Sequence, residues 1–219
     1  PLGNTGNQMG GWFNKEINTP SDYNGLKMRM PGLGGRTIEK LGATPVLLAG
    51  SDVLPSLSSG AVDAAEWICP AADLGAGLYQ AAKYYYGPGW HEPSTLLDLS
   101  MDLASWEKLD SSTQGLIDDM TKSFNMTVFS RFQAANGPAL QKLLGEHNVQ
   151  LKQFPDEVLI ALGNAAGEVV SERGSINSET KGICNHLLSF RKNIMDWSTK
   201  GESEFARIRN LSFKYPDSV

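Results

Sequence analysis

Gly60-Ala61-Val62-Asp63-Ala64-Ala65-Glu66-Trp67 is the stretch whose reading decides the fold. Ser58, Ser59 and Gly60 signal a turn before it, and Pro70 closes it off. Between them runs a series of small apolar residues that ends on a carboxylate and an indole. A strand buried on both faces reads this way, and in open α/β sheets ligands lie beyond the carboxyl ends of such strands. An ionised carboxylate placed there needs a partner or a cation, because burying it alone is costly. Glu66 is therefore read as a ligand group.

Upstream, elements of two periods alternate. In Gly25–Pro31 (GLKMRMP), Lys27 and Arg29 alternate with Leu26, Met28 and Met30, which predicts a strand with one polar face. Pro31–Gly35 reads as a loop, and 37–41 as a helix stopped by Gly42. A strand over 44–48 follows, then a helix with Pro55 at its start and Gly60 at its end. This series predicts a parallel α/β sheet culminating at Glu66. Residues 1–11 carry four of the 23 glycines, no charged side chain, and the polar groups of Asn4, Thr5, Asn7 and Gln8. They lack the Lys-Ser/Thr pair of a phosphate loop and do not fit GxGxxG. Residues 12–17 read as a helical turn.

Downstream, 74–82 reads as helix, Tyr84–Tyr86 as strand core, Gly87–Pro93 as a crossover, and 95–101 as a further strand. From Ser105 the pattern turns helical. Ser111 with Gln114 suggests a capping box, and Leu116, Met120, Phe124 and Val128 form one face of a long helix. Asn136-Gly137-Pro138 is expected to kink or interrupt it. A strand at 149–154 precedes a helix opened by Pro155 and Asp156. The last helix carries Ile183, Leu187, Phe190, Ile194 and Trp197, a seam fit either for a second helix or for the chain's own sheet.

Composition narrows the function class. The 219 residues are 41% hydrophobic and 20% charged, an ordinary globular make-up. A net charge of −5 argues against general nucleic-acid binding. No run reaches the ~18 apolar residues of a membrane span. Cys69 and Cys184 are read as two unrelated buried thiols, and three scattered histidines support no histidine chemistry.

Five stretches in this order, GNTGNQMGGWFNKEI (3–17), NGLKMRMPGLGG (24–35), LGATPVLLAG (41–50), SGAVDAAEW (59–67) and AAKYYYGPGWHEP (81–93), resemble the substrate-binding proteins of TRAP (tripartite ATP-independent periplasmic) transporters. The resemblance is greatest to the branch that takes 2-oxo and 2-hydroxy acids such as pyruvate and lactate. It implies an α/β, two-lobed periplasmic-binding-protein-like fold, with a ligand cleft between lobes and long C-terminal helices. Residues 1–90 would form the lobe that carries the ligand-binding strands. Residues 91–219 would hold a strand returning to the other lobe, then the connecting and C-terminal helices. An N-terminal portion of the family pattern would lie outside this sequence. The resemblance further implies a periplasmic location, TRAP integral membrane subunits as partners, and a homodimer formed through the C-terminal helix.

It also assigns residues. Arg29 would pair with the substrate carboxylate, a task suited to a guanidinium fork. Gln8, Glu66 and Trp67 (the last through its carbonyl) would hold Na⁺ or Ca²⁺, with Glu92 near the same ion or the substrate hydroxyl and Asn4 lining the pocket. Oxygen donors of this kind suit hard cations. The plainer alternatives are an edge-strand salt bridge for Arg29, a Lys27 or Arg29 partner for Glu66, core packing for Trp67 and loop capping for Asn4. Cys69 stands where relatives more often carry glycine and is expected to narrow the pocket. A rival reading is a metal-assisted lyase or aldolase acting on 2-oxo acids, with Lys27 as the nearest candidate base.

Overall fold

The computed structural model describes residues 1–214. Six strands form the main sheet: β2 (Gly11–Phe13), β3 (Lys27–Arg29), β4 (Thr44–Val46), β5 (Ala64–Ala65), β6 (Tyr84–Gly87) and β8 (Gln150–Gln153), in the order β4-β3-β5-β2-β6-β8. Two further short strands, β1 (Gly3–Asn4) and β7 (Leu96–Leu97), pair with each other. The expected parallel sheet is mixed: β3 runs parallel to β4 and β5, but β2 runs antiparallel to both β5 and β6.

β2 corrects the helical turn expected over 12–17. Its Trp12 and Phe13 lie on opposite faces of the sheet and join two separate cores, and both are fully buried. Trp12 stacks on Tyr85 with ring centroids 4.1 Å apart, while Phe13 meets Tyr86 edge-on at 5.2 Å. Ala64 and Ala65 of β5 divide between the same two cores. Each large side chain buried this way contributes about 1.5–3 kcal/mol, more than a three-residue helical preference can offset. Tertiary pairing decides the segment.

Helices cover the sheet. In α1 (Gly32–Lys40) the helix begins inside the stretch expected to be a loop. Gly35 is there for packing, since a Cβ would lie 2.6 Å from the Met30 carbonyl oxygen. α2 (Gly50–Ser59) contains Pro55 in its interior rather than at its start, and ends at Gly60 in the left-handed region (φ 73°). α3 (Pro70–Ala76) stops earlier than expected and is followed by a 3₁₀ turn at Leu78–Gln80. The strand expected over 95–101 shrinks to β7.

α4 (Leu103–Trp106) leads to α5 (Ser111–Gly145). The cap of α5 is Asp110, which accepts from the Thr113 amide at 2.9 Å, and Gln114 donates instead to the Trp106 carbonyl. The helix continues through Asn136-Gly137-Pro138 without interruption, and Asn136 accepts from the Ala71 amide at 3.1 Å, tying α5 to α3. Ala139 and Leu143 are buried, whereas Leu116, Met120 and Phe124 are exposed. α6 (Asp156–Gly174) follows β8, as the sequence predicts, and buries Val158 and Leu162. The chain divides into two units, 1–166 and 167–219, with the division inside α6.

The second unit holds the end of α6, then α7 (Ser178–Ser198) with Asn177 as its cap, a π-turn at Thr199–Ser203, and α8 (Glu204–Arg209). Ile183, Leu187, Phe190, Ile194 and Trp197 are all exposed. Both cysteines are free; Cys69 is buried, as expected, but Cys184 is only half-buried. No described helix is long and apolar enough to cross a membrane.

Candidate functional site

Strand direction assembles the site. β3 and β5 are parallel neighbours, so Arg29 and Glu66 emerge side by side from their carboxyl ends, with the Glu66 amide donating to the Arg29 carbonyl at 3.0 Å. β2 is antiparallel to β5 and β6, which brings the segment before it, with Gln8 and Met9, to the same edge. The chain leaving β6 arrives there too: Gly89 donates to the Gln8 carbonyl at 2.8 Å. Met9 donates to the Ile68 carbonyl at 2.9 Å, so residues 8–9 and 66–68 are tied together through main chain.

Glu66 is the centre. It is 2% exposed. Arg29 Nη1 donates to Glu66 Oε2 at 2.6 Å and to the Glu66 carbonyl at 2.9 Å. Its guanidinium lies 5.2 Å from the centroid of the Trp67 ring. β3 is flanked by β4 and β5, so Arg29 is not on a sheet edge, and its side chain is only 13% exposed. The Arg29 partner foreseen for Glu66 is thus present, while Lys27 is exposed. The Nε of Arg29, by contrast, is buried without a hydrogen-bond partner among the described residues.

Sequence reasoning missed His91. Its Nε2 lies 3.5 Å from Glu66 Oε1, its side chain is 6% exposed, and neither ring nitrogen has a hydrogen-bond partner among the described residues. Donor atoms of Glu66, His91 and Glu92 all lie within 4.8 Å of one another. The only signal was that His91 adjoins Glu92; the fold, not the spacing, brings it to Glu66.

Gln8 is buried, and its Nε2 donates to Thr95 Oγ1. Its Oε1 is buried with no hydrogen-bond partner among the described residues. An unsatisfied buried acceptor costs about 1–3 kcal/mol, and a bound cation would relieve it. This orphan oxygen, the Glu66 and Glu92 carboxylates and a main-chain carbonyl fit a hard cation. Asn4 accepts from the Gly6 amide at 2.7 Å and approaches Ser94 Oγ at 3.5 Å, contacts of a loop cap.

Asp73 was also missed. On α3 and 1% exposed, it accepts from Trp12 Nε1 (2.9 Å), the Tyr85 hydroxyl (2.8 Å) and the Ile68 amide (3.0 Å). Burial pushes its carboxyl up to about 6, with those hydrogen bonds pulling the other way. Burial likewise raises the Tyr85 hydroxyl and the Cys69 thiol above their ordinary ranges. In the sequence Asp73 merely precedes the helix expected over 74–82.

Comparison with known proteins identifies the family. Residues 2–175 match the model of the DctP family, bacterial extracellular solute-binding protein family 7. A monocarboxylate 2-oxoacid-binding periplasmic protein of Nostoc sp. is 37% identical over 212 residues, covering 97% of this chain and 58% of the relative. A TRAP periplasmic solute-binding protein from Pseudoalteromonas atlantica, solved with bound sodium and pyruvate, superposes with a TM-score of 0.89 at 33% identity, over 98% of this chain and 64% of that one. A TRAP solute-binding protein from Bordetella bronchiseptica, a mixed-occupancy dimer with calcium and picolinate, gives 0.87 at 33% identity, over 95% of this chain and 62% of that one. The chain belongs to the DctP family, a family of receptors rather than enzymes, and has the mixed α/β fold of TRAP periplasmic binding proteins. It spans about three-fifths of the length of these relatives.

Proposed function

We propose that the protein is a periplasmic receptor that captures a small 2-oxo or 2-hydroxy monocarboxylate together with Na⁺ or Ca²⁺ and delivers it to TRAP membrane subunits. The observation that carries this reading is the buried, partnerless Oε1 of Gln8 at the edge where Glu66 and Glu92 converge beside Arg29. Gln8, Glu66, Glu92 and the Trp67 carbonyl would hold the cation, which supplies positive charge for the substrate's carboxylate and 2-oxygen. Arg29 uses Nη1 to hold Glu66, and its unpartnered Nε leaves donor capacity for the substrate carboxylate. Residues 1–90, with Glu92 just beyond them, would supply this half of the cleft, and closure of a second lobe would complete it. The named functions of the relatives from Nostoc and Pseudoalteromonas support the substrate class.

Calorimetric titration of the full-length protein with pyruvate, with and without Ca²⁺, tests it. Tight binding that requires the cation is expected. Tight binding unaffected by chelation and Na⁺ removal would retire the metal, and failure to bind any 2-oxo or 2-hydroxy acid would retire the receptor reading.

The exposed apolar seam of α7 supports a homodimer in which that helix packs on a second copy. Sedimentation is expected to give a dimeric mass that Phe190→Asp with Trp197→Asp lowers to the monomer. A wild-type monomer at high concentration would sink this assembly.

A further inference from the structure

We propose that Asp73 is a positioning residue for the cation site, acting through the peptide that joins Trp67 to Ile68; the inference rests on the receptor reading above. Asp73 touches neither Arg29 nor Glu66 by hydrogen bond. What it holds is the Ile68 N–H, at 3.0 Å. That N–H and the Trp67 carbonyl belong to one planar peptide unit. The unit is trans, since the only cis bond among the described residues is Gly87–Pro88. In a trans unit the two groups point in opposite directions, so fixing the N–H on Asp73 fixes where the Trp67 oxygen points.

Charge adds to direction. An ionised acceptor on the N–H makes a stronger hydrogen bond and draws the amide toward its polar form, which places more negative charge on the carbonyl oxygen. Carboxylates that orient and polarise metal ligands from behind are a recurring device, and losing one typically weakens metal binding about 10–100-fold. The carboxylate is itself rigidly mounted: its other two donors, Trp12 and Tyr85, are stacked on each other and fully buried. The neighbouring links are equally set, because the Ile68 carbonyl accepts from Met9 and the Glu66 amide donates to Arg29. Residues 66–68 are thereby held from both sides, with the Arg29 guanidinium on the Glu66 carbonyl, and Asp73 is the anionic member of that support.

The test is Ca²⁺ titration, at saturating pyruvate, of the full-length wild type, Asp73→Asn and Tyr85→Phe, with melting temperatures of the cation-free proteins alongside. Asp73→Asn keeps an acceptor and removes the charge, so Ca²⁺ affinity should fall about 10–100-fold. Tyr85→Phe deletes a hydrogen bond to the same carboxylate but spares Ile68, so it should lower the melting temperature and leave Ca²⁺ affinity near wild type. Equal Ca²⁺ affinity in Asp73→Asn and wild type overturns the inference while the receptor reading stands. So does an equal loss in both variants, which is what a merely structural network predicts. A wild type that binds neither Ca²⁺ nor Na⁺ removes the cation reading and this inference with it. Should Asp73→Asn not fold, the Ile68 amide proton of the wild type decides. Ca²⁺ should move its resonance downfield, and an unmoved resonance overturns the proposal.

Discussion

Glu66→Gln is expected to weaken cation-dependent pyruvate binding by at least about 100-fold, roughly 2.8 kcal/mol or more at ten-fold per 1.4 kcal/mol. The amide keeps an oxygen for Arg29 Nη1, so the fold should persist, but the negative charge that holds the cation is gone. Glu66→Ala goes further. Arg29 is only 13% exposed, and stripping its partner leaves a largely buried guanidinium unpaired at 2.6 Å from where the carboxylate oxygen stood. Removing one partner of a buried pair costs about 3–5 kcal/mol, so this variant should also melt well below the wild type. Calorimetry with Ca²⁺ and pyruvate, beside thermal denaturation, separates the two losses. Wild-type affinity in Glu66→Gln would show that Glu66 serves only to pair Arg29.

Gly89→Ala should have the second-largest effect, although residue 89 carries no chemistry. A Cβ there would lie 2.8 Å from the Gln8 carbonyl oxygen and 2.9 Å from the Gln8 carbonyl carbon and Cβ. These are main-chain and near-main-chain atoms, and the existing bond from the Gly89 amide to the Gln8 carbonyl leaves no room to retreat. The chain must move, at about 1–3 kcal/mol for overpacking. Gln8 then loses its place, with an expected fall in Ca²⁺ affinity of about 10–100-fold. A lowered melting temperature with unchanged Ca²⁺ affinity would mean that Gln8 is not a ligand.

The two positions differ in how legible they were. Glu66 could be found from sequence because a charged residue closing a run of Ala and Val conflicts with its surroundings, and such conflicts mark function. The alternation of Lys27 and Arg29 with three apolar residues predicted the strand, and the family resemblance then selected Arg29 from its polar face. Gln8 is different: nothing local separates it from Asn4 or Asn7, and only the family resemblance selected it. Asp73 gave no local signal of its role, and His91 gave only its place beside Glu92. Their importance comes from contacts with Glu66 across 25 residues and with Trp12 across 61.

What the sequence determined by itself was local: the periods of β3, β8, α6 and α7, the stop at Gly60, and the carboxylate at the end of β5. Those features depend on residues within a few positions of one another, so a window of sequence contains their cause. The tertiary structure alone decided that 11–13 is a strand, that it runs antiparallel between β5 and β6, and therefore that Gln8 reaches the edge where Arg29, Glu66, His91 and Glu92 meet. Strand direction is set by which partners bury Trp12 and Phe13 on opposite faces of the sheet. That energy belongs to pairs of segments distant in the chain, and no single window holds both halves of it.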